Sequence, residues 1–315
     1  MAPEAISRTS SEMPSGVLIV DKPRGPTSHD VVARIRRALK TRHVGHAGTL
    51  DPMATGVLVV AVGEATKLVP WLTADDKTYD ATIRLGVETD TLDADGKETA
   101  RAPVPDEVVE ALRTNRPSPL LDAAFTRERE RTSQVPPAFS AIRIGGQRAH
   151  DLARAGQLDA ELPARPTSVR LLELVGARLE DDLVELEVRV EAAKGYFVRS
   201  LARDLAKDLG TVGHLTALRR IRSGAFTTND AIAVEAATRD ALLGVATAAS
   251  RALPVTVLDE AGVRAVSFGQ RVAPEHMDTP RVGPSAWLDS ASRLVAIGEC
   301  SADGFGRVLR GFPQT

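Results

Sequence analysis

Apolar positions along the chain follow two patterns, short continuous runs bounded by turn residues and stretches with an apolar residue every fourth position. Residues 17–20 (Val-Leu-Ile-Val) form a run that ends at Asp21-Lys22-Pro23, which predicts a buried strand followed by a turn. Thr27-Ser28-His29-Asp30 has the form of a helix N-terminus, with Thr27 as cap and Asp30 three residues on. Behind it Val31, Ile35 and Leu39 recur every fourth position and leave the arginines on other faces. A glycine-containing loop over 45–52 follows, then a second buried strand over 57–62. Residues 78–85 alternate: Tyr79, Ala81, Ile83 and Leu85 share one face, Asp80, Thr82 and Arg84 the other. Tyr79 therefore points with the apolar face, toward a core or a cleft.

Further along, residues 89–96 read as a turn-rich loop. Residues 133–149 are punctuated by Pro and Gly and carry Arg143 and Arg148, so an extended, hairpin-like loop is expected. Val184, Leu186, Val188 and Val190 line one face of another strand. After Lys194-Gly195 a helix is predicted, with Leu201, Leu205 and Leu209 at fourfold spacing and Gly210 as its stop. Arg199, Arg203 and Lys207 keep the same spacing, as a basic stripe. Near residue 250 the character changes to short apolar runs, at 255–258 and 294–297, with many glycines. A small β-rich unit is expected there.

Composition narrows the class. A length of 315 residues fits one large and one small domain. The single cysteine, Cys300, leaves no internal disulfide framework and argues for a reducing compartment. Residues 1–14 hold no apolar run of signal-peptide length and are expected as a disordered tail. No segment approaches the roughly 18–20 consecutive apolar residues of a membrane span, so a soluble, cytoplasmic protein is expected. The net charge of −2 does not point to nucleic acid, but its distribution bears on it. Residues 31–46 hold Arg34, Arg36, Arg37, Lys40 and Arg42 with no acid. Residues 194–222 hold seven basic residues against Asp204 and Asp208, and the acids concentrate over 75–110. Solvated helix faces would give either cluster alone; the two together with a separate acidic region raise the weight of an RNA surface.

Several candidate chemistries fail on spacing. Asp93-Ala94-Asp95-Gly96 hints at a calcium loop, but the frame puts Thr91 first and Ala102 where a bidentate Glu is needed. His43 and His46 lack the further ligands of a zinc set. Cys300 has no evident His partner, and no phosphate-binding Gly-Lys-Ser/Thr loop or dinucleotide fingerprint is present. The loop over 45–56 differs. An Asp before Pro is usually a turn residue, yet Asp51 sits in a glycine-containing loop between a basic helix and an apolar strand. Such a loop can hold a carboxylate at the lip of a sheet with its backbone close to a ligand.

Residues 45–56, Gly-His-Ala-Gly-Thr-Leu-Asp-Pro-Met-Ala-Thr-Gly, resemble the signature of the bacterial TruB family, the tRNA pseudouridine-55 synthases. Other segments match in the same order: Gly16 to Pro23, Gly63 to Lys67, Asp76-Lys77-Thr78-Tyr79, Thr89 to Gly96, Lys194 to Arg199, and Leu218-Arg219-Arg220. The resemblance spans roughly residues 16–225.

It implies an α+β pseudouridine-synthase fold. A mixed, mainly antiparallel central sheet would be flanked by helices and loops over residues 15–250, with an RNA-binding insertion at about 125–155. Residues 254–315 resemble a small PUA-like RNA-binding domain only weakly. The implied reaction detaches uracil from its ribose in the T-arm loop of tRNA, turns it and rejoins it through carbon 5, with no metal or organic cofactor. Asp51 corresponds to the essential aspartate, as nucleophile or as base on the ribose; the sequence does not choose. Arg199 corresponds to the arginine that pairs with it, aiming the carboxylate and favouring its charged form. Tyr79 matches the tyrosine that stacks on the base, and His46 the histidine that fills the space the flipped base vacates. Phe197 and Leu218 match residues lining the uracil pocket, and Lys22 and Gly48 belong with the substrate-binding set. Arg36, Arg37, Lys40, Arg143, Arg148 and Arg203 are the expected backbone contacts.

Phe197 stands where many members have Tyr, Phe139 and Arg143 replace a Tyr and a Lys, and His150 replaces a Tyr. These departures touch details of RNA contact and not the reaction. The expected partner is tRNA, with a monomer and no membrane, guide RNA or obligate protein partner. The alternatives are a non-catalytic tRNA-folding chaperone on the same scaffold, a relative working in a guide-RNA complex, and an unrelated hydrolase using Asp51.

Overall fold

The computed structural model describes residues 13–74, 76–140, 142–157, 162–180 and 183–313; the side chains of Arg148 and Glu180 lie outside the description. Of the tail expected over 1–14, residues 1–12 also lie outside it.

The chain begins with β1 (Gly16–Lys22), whose apolar run is buried on both faces. Helix α1 (Ser28–Ala38) starts at the predicted capping box: Thr27 accepts from the Asp30 backbone, and the Asp30 side chain accepts from Thr27. It buries Val31, Val32 and Ile35. Strands β2 (Val44–His46) and β3 (Thr55–Val62) bracket the loop that carries Asp51. After the short α2 (Val69–Leu72), β4 (Lys77–Leu85) alternates as its sequence does, with Tyr79, Ala81, Ile83 and Leu85 inward. A small hairpin of β5 (Val87–Thr89) and β6 (Glu98–Arg101) encloses the 89–96 loop.

Helices α3 (Asp106–Thr114) and α4 (Pro119–Arg129) come next. Strand β7 (Ser133–Gln134) is followed by a hairpin of β8 (Arg143–Ile144) and β9 (Gln147–Arg148) and by α5 (Ala149–Arg154). Then β10 (Arg165–Pro166) returns to pair with β7. Leu121, Ala124 and Phe125 of α4 belong to the main core, and the segment after it is tied back to Phe197, Arg199 and Ser200 through Gln134, Phe139 and Val135. Strands β11 (Val169–Glu180) and β12 (Leu183–Ala192), helix α6 (Val198–Asp208) and β13 (Gly213–Ser223) complete the site-bearing part. Two short strands, β14 (Phe226–Thr227) and β15 (Ile232–Ala233), follow.

Among the described residues these strands form a nine-stranded sheet in the order β11-β12-β4-β13-β3-β1-β15, with β14 on β13 and β2 on β3. Pairings are antiparallel except β13 with β3 and β1 with β15. One face is buried under α1, α4 and α6. Under β1 and β3 the other face meets α7 (Val245–Ala252) and part of the small C-terminal sheet. That sheet runs β16 (Val255–Val257), β17 (Ser285–Leu288), β18 (Leu294–Cys300) and β19 (Gly306–Gly311), with α8 (Glu260–Ser267) against it. Its centre is the fully buried Trp287. A Cβ on Gly298 would lie 2.3 Å from the Trp287 ring, so only glycine leaves room for the indole.

Candidate active site

Asp51 follows buried Leu50 and precedes buried Met53 and Ala54, so the loop is pinned by apolar side chains on both sides of the carboxylate. Ser28, at the start of α1, accepts from the Leu50 amide and donates to its carbonyl, at 2.9 and 3.1 Å. The underside is held by two buried cations. Lys22 Nζ donates to the carbonyls of Pro23, Pro52 and Ala54 at 3.0, 3.2 and 2.7 Å. Arg220 donates to those of Gly48, Thr49 and Val57. Lys22 was expected to line the substrate site. Its ammonium is instead fully buried behind the loop, because the strand-to-turn geometry aims it at three carbonyls that have to be satisfied. Burial lowers its pKa to about 8, with Asp51 opposing the shift and Arg220 adding to it.

Closest to Asp51 is Arg199, at the start of α6. Its Nε lies 2.9 Å from one carboxylate oxygen and its Nη2 3.2 Å from the other. Its remaining donors go to the Thr91 carbonyl at 2.9 Å and the Phe139 carbonyl at 2.8 Å. Asp93 stands 3.6 Å from Arg199 on its other side. Its carboxyl accepts from Thr91 Oγ1 and the Asp95 amide, and burial raises its pKa. The supposed calcium loop is thus a turn that delivers a carbonyl and a second carboxylate to Arg199. Among the described residues no group of three or more His, Cys, Asp and Glu could hold a metal ion.

The start of α6 is fixed from below. Phe197 exchanges two hydrogen bonds between its backbone and the Gln134 side chain, at 2.9 and 3.2 Å. Ser200 Oγ donates to the Val135 carbonyl. Tyr196 donates to the buried Glu128 of α4 at 2.9 Å. Burial raises both groups, Tyr196 well above its ordinary value, so the phenol stays protonated and donates. Strand register places Tyr79 beside Arg220, and Ala81 beside Leu218, and Arg220 in turn reaches the Gly48 and Thr49 carbonyls just ahead of Asp51. Leu218 also lines a cavity of about 420 Å³ with Met53, Thr55, Asp80, Arg189 and Arg219. His46 packs edge-on against His29, ring centroids 5.3 Å apart. Burial first, then His29 and Arg220, lower its pKa, which favours a neutral ring.

Residues 36–198 match the TruB family pseudouridylate synthase N-terminal domain, and residues 199–255 the tRNA pseudouridylate synthase B C-terminal domain. The chain belongs to the TruB family. A relative from Thermobifida fusca, named tRNA pseudouridine synthase B, is 44% identical over 295 residues, 91% of this chain and 95% of the relative. One of the same name from Mycobacterium tuberculosis is 49% identical over 211 residues, 67% of each chain. Among solved structures, the chain resembles one of a Cbf5-Nop10-Gar1 complex at 25% identity and a TM-score of 0.69, covering 96% of this chain and 85% of that one. A second, of an H/ACA RNP bound to a substrate RNA containing 2′-deoxyuridine, gives 26% and 0.66, covering 96% and 86%. The chain is therefore a pseudouridylate synthase, an isomerase, on a mixed and mostly antiparallel α+β fold.

The basic residues of this TruB-family chain divide by what they already hold. Arg37, Lys40 and Arg143 are exposed. Arg36 donates to the Val44 carbonyl at 2.8 Å, and Arg34 faces Glu235 at 3.7 Å. Arg203, expected on the RNA backbone, turns inward to Asp204 and the Val135 carbonyl at 2.8 Å each. The stripe on α6 therefore breaks up: Arg199 serves the carboxylate, Arg203 the neighbouring segment, and Lys207 alone stands exposed. Two contributors were missed from sequence. Arg220 lay inside a quoted motif, but only the strand register tells it from its outward neighbour Arg219, which pairs with Asp21. Asp93 was set aside with the calcium frame.

Proposed function

We propose that this TruB-family isomerase acts on tRNA and converts uridine 55 of the T-arm loop to pseudouridine, with Asp51 as the reacting carboxylate. The observation that carries this reading is the two-point pairing of Arg199 with Asp51, on a loop whose backbone is held by Arg220, the strand neighbour of Tyr79. The relatives' printed name, tRNA pseudouridine synthase B, supports the substrate.

The reaction conserves every atom. The bond from N1 to C1′ breaks, the base turns, a bond from C5 to C1′ forms, and the C5 proton is given up while N1 gains one. Whether Asp51 attacks as a nucleophile or takes a ribose proton, it acts as a carboxylate beside the glycosidic bond. Arg199 supplies the aim through a planar fork matched to a carboxylate. Tyr79 offers a stacking face diagonal to Leu218 on the paired strand, and the resemblance adds Phe197 to the pocket. Flipping a base costs a few kcal/mol, which a neutral His46 ring offsets by filling the vacated space. Gly48, at φ +97°, lets the loop turn tightly ahead of Asp51.

Arg37, Lys40 and Arg143 supply the phosphate contacts, and residues 254–315 act as a PUA-like RNA-binding unit beside a catalytic domain over 15–250. The protein works as a cytoplasmic monomer without guide RNA. A binding-only chaperone would have no use for a buried arginine aimed at a reachable carboxylate. The test is to treat unmodified tRNA with the pure protein and map pseudouridine along it. A tRNA left unmodified, or modified only at another position, would sink the assignment.

A further inference from the structure

Arg220 is among the largest fully buried side chains, 1% exposed. It sits on β13 between two strands, opposite Tyr79 of β4 and Gly56 of β3. No carboxylate pairs with it among the described residues. Its donors go to neutral carbonyls: Nε to Val57 at 2.6 Å, Nη1 to Thr49 at 3.3 Å and Nη2 to Gly48 at 3.1 Å. Burying an unpaired guanidinium is costly. What that cost secures is geometry, because the three carbonyls lie on both sides of Asp51, two just before it and one at the strand after it.

The surrounding backbone is built to allow this grip. Gly56 has φ +96°, and a Cβ there would lie 2.2 Å from the Arg220 carbonyl, so β3 approaches β13 this closely only with glycine. Gly48 has φ +97°, and a Cβ there would meet Arg220 Nη1 and Lys77 Cε at 3.6 Å. Lys22 holds the downstream half of the loop at Pro52 and Ala54. The upstream half, Gly48 and Thr49, has Arg220.

We propose that Arg220 is a positioning residue for Asp51. Its fork fixes the peptide planes of Gly48 and Thr49, and through them the direction in which the carboxylate leaves the loop to meet Arg199. Because Leu218 is two residues away on the same strand and Tyr79 is opposite, β13 ties the base pocket and the reacting carboxylate into one rigid unit. The proposal rests on the reading of Asp51 given above.

Arg220→Lys keeps the charge but replaces the planar fork with a point donor on a flexible stem. The experiment compares it with the unaltered protein in single-turnover pseudouridine formation at saturating enzyme, in tRNA affinity and in thermal midpoint. A displaced reacting group costs on the order of 100-fold in rate. The expected result is a rate about 30- to 100-fold lower, with affinity unchanged within about twofold and the protein folded at the assay temperature. Gly48→Ala tilts the same peptide by strain at positive φ, and should also lower the rate without lowering affinity. The double variant should fall little below the worse single one, because both act through one carbonyl. A normal rate in folded Arg220→Lys overturns the proposal. So does a rate loss matched by an equal affinity loss, or a double variant whose losses multiply. If Arg220→Lys does not fold, Gly48→Ala decides alone, and a normal rate in it overturns the proposal. Asp51→Asn run alongside separates the two readings. Turnover in that variant removes Asp51 itself, whereas a dead Asp51→Asn beside a normal Arg220→Lys removes only the role of Arg220.

Discussion

Arg199 meets Asp51 through two contacts, 2.9 Å from Nε to Oδ2 and 3.2 Å from Nη2 to Oδ1, between residues 148 positions apart in the chain. The two partners are unequal. The arginine side chain is 6% exposed and has its other donors on the Thr91 and Phe139 carbonyls, while the aspartate side chain remains 35% exposed. A fixed cation thus aims a carboxylate that a substrate can still reach. An ordinary surface ion pair would leave both ends mobile and contribute little.

Asp51→Asn should abolish isomerisation while tRNA binding stays nearly intact. The change removes a charge at nearly constant shape, and binding rests on other surfaces. A proton-transfer or nucleophilic role for the carboxylate predicts a rate loss of at least about 10²–10⁴-fold. Single-turnover assays of the purified variant, with affinity measured in parallel, check it. Retained turnover would remove Asp51 from its role.

Arg199→Lys should damage chemistry more than binding. It preserves a positive charge but loses the second carboxylate contact and strands at least one of the two backbone carbonyls. The rate should fall about 100-fold at nearly unchanged tRNA affinity. An unpaired buried carbonyl costs about 1–3 kcal/mol, so the thermal midpoint should drop as well. A variant that binds poorly but reacts normally once saturated would place Arg199 on the RNA side and not with the carboxylate.

The elements that sequence revealed are those where local pattern and tertiary demand agree. The Thr27 capping box, the alternation of β4 and the stop at Gly210 each act within a few residues, and each appears as expected. The loop around Asp51 was legible as a motif, and its pairing with Arg199 as a family resemblance. What pattern did not show is where a long polar side chain turns. Lys22 and Arg203 read as available cations, yet one is fully buried on three carbonyls and the other is folded against Val135. Periodicity gives the face of a residue, whereas satisfaction of buried backbone groups decides the direction of its tip. Helices α3 and α8 went unpredicted although each carries an apolar stripe, Val108-Val109-Leu112 in one and Val263-Val266 in the other; α4 has the weaker pattern, and packing supplies what it lacks.

Lys22 should impose an alkaline limit on the rate. Its pKa is lowered by burial from the ordinary 10.5 to about 8. Between those values the unfolded chain holds a proton that the folded one has released, so this group's contribution to stability rises with pH. Activity should move the other way. The neutral amine has two hydrogens for three carbonyls, and a positive charge beside Asp51 is lost. The turnover rate should therefore fall as pH rises through about 8 without a matching loss of thermal stability from this group. Lys22→Met should show a lower rate with no such limb. A limb that persists unchanged in Lys22→Met would assign it to another group.

The basic residues of α1 make the last prediction, because the structure ranks them. Phosphate contacts release counterions, so the logarithm of affinity should fall steeply and linearly with the logarithm of salt concentration. Arg37 and Lys40 are exposed and form no ion pair among the described residues, whereas Arg36 already spends a donor on Val44 and Arg34 faces Glu235. Charge removal at Arg37 and at Lys40 should each weaken tRNA binding and flatten the salt slope by up to about one unit. Arg36→Gln should do so less, and its effect should be mixed with a loss of stability where α1 meets β2. Arg203→Gln should leave the slope alone, since that guanidinium is held by Asp204 and Val135. None of the α1 changes should alter single-turnover chemistry at saturating enzyme, because phosphate contacts position the RNA while the pocket around Tyr79 and Leu218 selects the base. Affinity measured across a salt series for each variant gives the slopes. If the triple variant of Arg36, Arg37 and Lys40 keeps the original slope, α1 carries only a solvated basic face and the tRNA backbone runs elsewhere.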